Sequence, residues 1–147
     1  MWMPSECEKT TPPWKCDAPK SPEDKDLNKV GGFWITESSY NLRPEVIEAY
    51  YYAYRMTEDE KYQNWAWDAF EAINKVARLE NGFSYLRDVN APDGKNREGD
   101  NQESYFFSET LKYLFLIFSD DGEWHVNSND KNSWVYNTEG HPLKIRS

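Results

Sequence analysis

Apolar residues along this chain recur at two different spacings, and the change of spacing marks out its elements. From Pro44 onward, Val46, Ile47, Ala49, Tyr50, Ala53 and Tyr54 return at intervals of three and four, which predicts an amphipathic helix running to about Met56. Pro44 suits the first helical position, and Asn41 is the candidate cap. Thr57, with Glu60 three residues on, has the form of a capping box that opens a second helix. Its apolar stripe is Tyr62, Trp65, Ala66, Ala69, Phe70, Ile73, Val76 and Ala77, with Asn81-Gly82 as the C-terminal stop. Two helices joined within so few residues must fold back antiparallel. A third helix is expected over about 103–118, where Tyr105, Phe106, Leu111, Leu114, Phe115 and Phe118 supply apolar faces and Asp120-Asp121-Gly122 ends the run. Between the second and third helices, residues 83–102 carry Pro92, Asp93-Gly94, Gly99 and Asp100 and read as loop. Near the end, Trp124-His125-Val126 and Trp134-Val135-Tyr136 flank an Asn/Asp/Ser cluster and read as a β-hairpin. Residues 1–32 hold five prolines and no sustained apolar period, so they are expected to form an irregular connecting segment ahead of Gly31-Gly32 and the short run Phe33-Trp34-Ile35.

The pattern is therefore mainly α, with about three long helices and a short C-terminal β-hairpin. Helix, short turn and helix is also the unit from which toroids of helical hairpins are built. A length of 147 residues gives room for one domain. The charge balance, 17 Lys plus Arg against 26 Asp plus Glu, leaves a net charge of −9 and argues against nucleic acid as a partner, because phosphate backbones need a cationic face. Aromatic residues make up 16% of the chain, and their flat faces with polar edges fill cores and also stack on sugar rings. The longest uncharged apolar run, Tyr113 to Phe118, falls far short of the roughly 20 residues of a transmembrane helix. The first residues lack both a basic region and an apolar stretch, so this chain shows no signal peptide. Cys7 and Cys16 either close a small disulfide loop or remain two thiols; with His125 and His141 their spacing fits no zinc pattern.

Three segments could carry chemistry. In Tyr40-Asn-Leu-Arg-Pro-Glu-Val-Ile-Glu48, Glu45 falls in the first helical turn two residues after Arg43, and both the helix dipole and the guanidinium favour its ionised form. An acid in a first turn is also an ordinary helix stabiliser. In Asp100-Asn-Gln-Glu-Ser104 and the following helix, Tyr105 and Glu109 are four apart and would share a face, an aromatic platform beside a carboxylate that suits a hexose. The plainer alternative is a core tyrosine with an exposed glutamate. In Asn137-Thr-Glu-Gly-His-Pro142, Thr138 offers a hydroxyl and a carbonyl, both hard oxygen donors of the kind calcium accepts, and Glu139 adds negative charge; His141 is read as a turn residue rather than a metal ligand.

In this order the three segments, with Tyr51-Tyr-Ala-Tyr-Arg-Met-Thr57 and Ser108-Glu-Thr-Leu-Lys-Tyr-Leu114, resemble the C-terminal part of the class I α-1,2-mannosidases, glycoside hydrolase family 47. The Asp-Asn-Gln-Glu-Ser form and the Gly-Phe-Trp-Ile run resemble its fungal branch. The resemblance implies a partial (αα)7 barrel over residues 33–147, the C-terminal portion of an α-mannosidase catalytic domain whose N-terminal part is missing here. It implies calcium as cofactor and a high-mannose oligosaccharide or glycoprotein as partner. By the same resemblance Glu45 matches the general base of an inverting hydrolysis, and Arg43 lines the same subsite. Tyr105 stands where an aromatic, usually Phe, packs on the sugar. Glu109 matches a carboxylate that bonds sugar or ordered water. Thr138 matches the residue that binds calcium directly, and Glu139 an outer acid holding metal-bound waters. Gly140 replaces a common alanine, a change expected to matter little. The activity implied is a mannosyl-oligosaccharide 1,2-α-mannosidase that trims high-mannose N-glycans in the endoplasmic reticulum or Golgi, or after secretion, with this fragment inactive alone. A mannose-binding lectin without catalysis and a helical interaction scaffold are the alternatives. Three helices cannot close a ring of seven hairpins, so apolar faces that include Trp65, Trp67, Phe106 and Phe115 should lack partners.

Overall fold

The computed structural model of the chain describes residues 2–4, 19–91, 98–128 and 132–146. Cys7 and Cys16 lie outside them, as do Pro92, Asp93-Gly94 and part of the polar cluster before Trp134. The elements run β1 Trp2–Pro4, α1 Pro22–Gly31, β2 Phe33–Ile35, α2 Glu45–Thr57, α3 Lys61–Val76, β3 Arg78–Leu79, β4 Gly82–Phe83, a π-helical turn Phe106–Leu111, α4 Lys112–Phe118, β5 Trp134–Tyr136 and β6 Pro142–Lys144.

Helices α2, α3 and α4 pack around one apolar cluster, in which Ile47 and Tyr51 of α2, Ala66 of α3 and Tyr113, Leu114, Leu116 and Ile117 of α4 are buried. A second cluster collects Leu42, Ile73, Ala77, Leu86 and Phe106 where the loops cross the ends of these helices. The strands form three separate antiparallel pairs, β1–β2, β3–β4 and β5–β6.

The expected irregular run before Gly31 contains a helix. Ser21 caps α1 by accepting a hydrogen bond from the Asp24 backbone N–H at 3.0 Å, Pro22 sits in its first turn, and Gly32 ends it in the left-handed region at φ 71°. No α1 residue is fully buried; the helix packs against β2 with Leu27 and Asn28 half-buried, too few positions to reveal an apolar stripe. The boundary between α2 and α3 also differs from the capping-box reading. Thr57 closes α2, donating from Oγ1 to the Ala53 carbonyl at 2.7 Å, and Asp59 rather than Thr57 accepts the Lys61 N–H at 3.0 Å. Asn81-Gly82 is not a helix stop either; it belongs to the β3–β4 turn, and Ala77 caps α3. The third helix keeps its extent but begins as a π-helical turn.

The C-terminal hairpin forms between Trp134–Tyr136 and Pro142–Lys144, not with Trp124-His125-Val126. That earlier segment is held instead by side chains of α2. The Tyr51 hydroxyl accepts the Val126 N–H at 3.2 Å, and Arg55 donates to the Val126 carbonyl and to Asn127. His125 is buried, with Nε2 at 3.1 Å from both Ser119 Oγ and the Asp120 carbonyl, and burial holds its imidazole below the usual range. With its backbone groups already satisfied, the segment has no need of a strand partner. Trp65, Trp67 and Phe115 are exposed as expected, whereas Phe106 is fully buried against Phe83.

Candidate functional site

The Asn41–Glu45 segment enters the site along a short pairing of Tyr40 with Leu86, whose backbone groups exchange hydrogen bonds of 2.9 and 2.8 Å. Leu42 then turns the chain sharply. It is fully buried and sits at φ 58°, a left-handed conformation that costs a non-glycine residue about 1 kcal/mol. Two side chains from the π-helical region hold the turn: the Tyr105 hydroxyl donates to the Asn41 carbonyl at 2.6 Å, and Thr110 Oγ1 donates to the Leu42 carbonyl at 2.7 Å. Beyond the turn, Arg43 and Glu45 reach outward with 3.6 Å between their charged groups, both more than half exposed, so the pair contributes little to stability. The guanidinium carbon of Arg43 also lies 5.8 Å from the Tyr105 ring centroid. Tyr40, beside Glu45 and Tyr105, has its phenol pushed up to about 12, chiefly by burial.

The π-helical turn changes which side chains line up. Residues five apart would stand roughly 140° apart around an α-helix, and the wider π-helical turn lessens that offset. Tyr105 and Thr110 therefore address two consecutive carbonyls. Glu109 is not their partner on that line. It lies within the turn, 9% exposed, and no hydrogen bond or ion pair reaches its carboxylate among the described residues. Burial raises its carboxyl above the usual range, with further upward pushes from Glu139, Glu45 and Glu48 in that order; Lys112 opposes them.

The Glu109 carboxylate of the π-helical turn thus feels negative charge from two other elements, Glu45 and Glu48 of α2 and Glu139 of the β5–β6 loop. Glu48 received no role from the sequence, although three residues after Glu45 it falls on the same side of α2. Its Oε1 accepts the hydroxyl of buried Tyr113 at 3.3 Å, and burial drives that phenol far above its ordinary value.

The Thr138 loop is ordered by Asn137. Its Oδ1 accepts the N–H groups of Glu139 at 3.1 Å and His141 at 2.8 Å, and its backbone carbonyl accepts from Gly140 at 2.9 Å. Gly140 proves more than a neutral replacement. It sits at φ 67°, and a Cβ there would meet the Ser108 carbonyl at 3.2 Å and Glu109 Cγ at 3.4 Å. The loop lies directly on the π-helical turn, and Lys112 Nζ donates to the Gly140 carbonyl. Thr138 is exposed, and neither its hydroxyl nor its carbonyl takes part in a hydrogen bond among the described residues. Its two oxygens remain available as donors. Among the described residues no three His, Cys, Asp or Glu side chains form a group that could hold a metal ion, and no helix is long and apolar enough to cross a membrane.

The arrangement can hold a polyol beside an aromatic ring, a guanidinium and several carboxylates, with hard oxygen donors at the loop. Comparisons with known proteins show what the chain as a whole is similar to. The family model for glycosyl hydrolase family 47 matches residues 2–145. A mannosyl-oligosaccharide α-1,2-mannosidase of Coccidioides posadasii is 55% identical over 133 residues, 89% of this chain and 25% of that protein. One from Penicillium citrinum is 47% identical over 133 residues, 90% of this chain and 26% of that protein. Among solved structures, an α-1,2-mannosidase from Trichoderma reesei superposes with a TM-score of 0.80 at 39% identity, over 86% of this chain and 26% of that one. The chain spans about a quarter of the length of these relatives.

Proposed function

The chain belongs to glycosyl hydrolase family 47, and from that premise we propose that it forms the base-bearing and calcium-facing wall of a mannosyl-oligosaccharide α-1,2-mannosidase active on high-mannose N-glycans. The observation that carries this reading is the seating of the Thr138 loop, with its two uncommitted oxygens, against little-exposed Glu109 through Gly140, with Arg43 set 5.8 Å from the Tyr105 ring of the same π-helical region. Each side chain then has work to do. Glu45, 3.6 Å from Arg43, would accept a proton from the water that attacks the anomeric carbon, as inversion requires; the opposing general acid would stand roughly 6.5–9.5 Å away. Tyr105 offers its ring to the C–H face of a mannose, while its hydroxyl is committed to the Asn41 carbonyl. Thr138 would hold calcium through its hydroxyl and carbonyl, with Glu109, Glu139 and Glu48 acting on its shell through water. Such an ion would fix sugar hydroxyls in place. The raised carboxyl of Glu109 fits this assignment, since crowded acids are relieved by a divalent cation.

Residues 33–147 would form part of a barrel of helical hairpins, and the rest of that barrel, the general acid and turnover itself are assigned to the three quarters of the relatives that this chain does not match. Trimming of high-mannose glycans implies the secretory pathway, endoplasmic reticulum or Golgi, or release from the cell. The test is calorimetry of the chain with calcium and then with α-1,2-mannobiose, beside an assay of disaccharide hydrolysis. Calcium binding, followed by sugar binding that chelator abolishes, is the expected result, with no hydrolysis by the chain alone. Absence of sugar binding at millimolar concentration in saturating calcium overturns the reading.

A further inference from the structure

We propose that Thr110, a fully buried residue, is a positioning residue: its hydroxyl holds Leu42 in the left-handed turn from which Arg43 and Glu45 extend. The proposal rests on the functional reading above for its consequence, but not for its conformational part. The reasoning begins with which bonds can rotate. Tyr40 is anchored by its pairing with Leu86, and α2 is fixed from Glu45 by packing of Ile47 and Tyr51. Between them, Arg43 precedes a proline and is confined to extended backbone, and the ring of Pro44 holds its own φ. The Asn41 carbonyl is tied by Tyr105. Leu42 is thus the hinge that decides where Arg43 and Glu45 point.

Leucine has no intrinsic reason to adopt φ 58°. A buried carbonyl without a partner would add a second penalty, so the turn persists because the Thr110 hydroxyl satisfies that carbonyl at 2.7 Å. Thr110 reaches it from within the π-helical turn, whose wider register lessens the angle that an α-helix would set between Thr110 and Tyr105. The irregular turn and the strained leucine are therefore one device. The first makes room for the hydroxyl that the second requires.

Thr110→Val keeps the shape and removes the hydrogen bond. Thr110→Ser keeps the bond without the methyl, and Thr110→Ala lacks both; the Ser and Ala pair isolates the hydroxyl should the valine variant fail to fold. In leucine-labelled chain, the Leu42 amide–Hα coupling and Cα shift report its backbone region without any ligand. Left-handed values in wild type and Thr110→Ser, and their loss in Thr110→Val and Thr110→Ala, are expected. Retention of left-handed values in the valine or alanine variant overturns the proposal. With α-1,2-mannobiose in saturating calcium, affinity should fall about tenfold in Thr110→Val and return in Thr110→Ser, while calcium affinity stays level. Unchanged sugar affinity in a valine variant, when wild type binds, rejects the positioning role. If wild type binds no sugar, the functional reading fails and takes that role with it, and the Leu42 coupling still decides whether Thr110 holds the turn.

Discussion

Helix α2 is flanked at both ends by a residue in the left-handed region that is not glycine, Leu42 ahead of it and Glu58 behind it. The two ends are built by opposite means. Glu58, exposed at φ 56°, is an ordinary helix exit whose N–H bonds back to the Tyr54 carbonyl at 2.7 Å. Nothing from elsewhere in the chain is needed to form it. Leu42, at φ 58°, is fully buried, and both its own carbonyl and that of Asn41 are held by side chains more than sixty positions away. Similar dihedrals thus arise once from local helix geometry and once from tertiary constraint. Strain that is constrained from outside tends to mark function, and the acids gathered beyond Leu42 agree with that.

The sharpest way to break this contrast is to change the carboxylates at the two ends. With the chain placed in a full-length family member in exchange for the matching quarter, Glu45→Gln should lower hydrolysis of α-1,2-mannobiose about 10²–10⁴-fold, and Glu58→Gln should leave it unchanged. Equal losses at both positions would erase the distinction. Glycine separates the ends thermodynamically. At position 42 it relieves the backbone but empties a buried site, so Leu42→Gly should destabilise by about 2–4 kcal/mol in urea unfolding.

A smaller effect comes from Glu109. Its carboxyl is raised in the folded chain, so the native state holds a proton more tightly than the unfolded one, and stability falls as pH rises from the ordinary carboxyl range through the higher folded value. Glu109→Gln, neutral throughout, should raise Tm at pH 7 without metal, and thermal scans should show the gain vanishing as pH falls below the ordinary carboxyl range. The same variant should weaken sugar affinity in calcium, which distinguishes an acid kept for function from one kept for the fold. The smallest change is expected at the exit: Glu58→Gly should stabilise by about 1 kcal/mol, seen in urea unfolding, with no change in sugar or calcium affinity.

Much of this molecule was legible before any coordinates. The three-and-four spacing located α2 and α3 because burial of one helical stripe leaves a period in the residues themselves. The order of the Leu-Arg-Pro-Glu, Ser-Glu-Thr-Leu and Asn-Thr-Glu-Gly segments was enough to identify the family by resemblance, and the match over residues 2–145 bears that out. Helix α1 escaped notice because it has no fully buried residue and only a few half-buried ones, too few to mark a stripe, although Ser21 and Pro22 are its local signature. The partner of β5 was misread because Trp124-His125-Val126 has strand-like residues whose backbone needs are met by Tyr51 and Arg55 of a distant helix.

What residue order alone determined was the set of amphipathic segments and the family to which the chain belongs. What only the tertiary structure decided was how the segments meet: the π-helical turn, the left-handed leucine, the seat of Gly140 against Ser108, and the entry of Glu48 into the acid group. The reason is physical. Periodicity and capping are interactions between neighbours along the chain, whereas a strained turn or a raised carboxyl exists only when groups far apart in sequence crowd into one low-dielectric place.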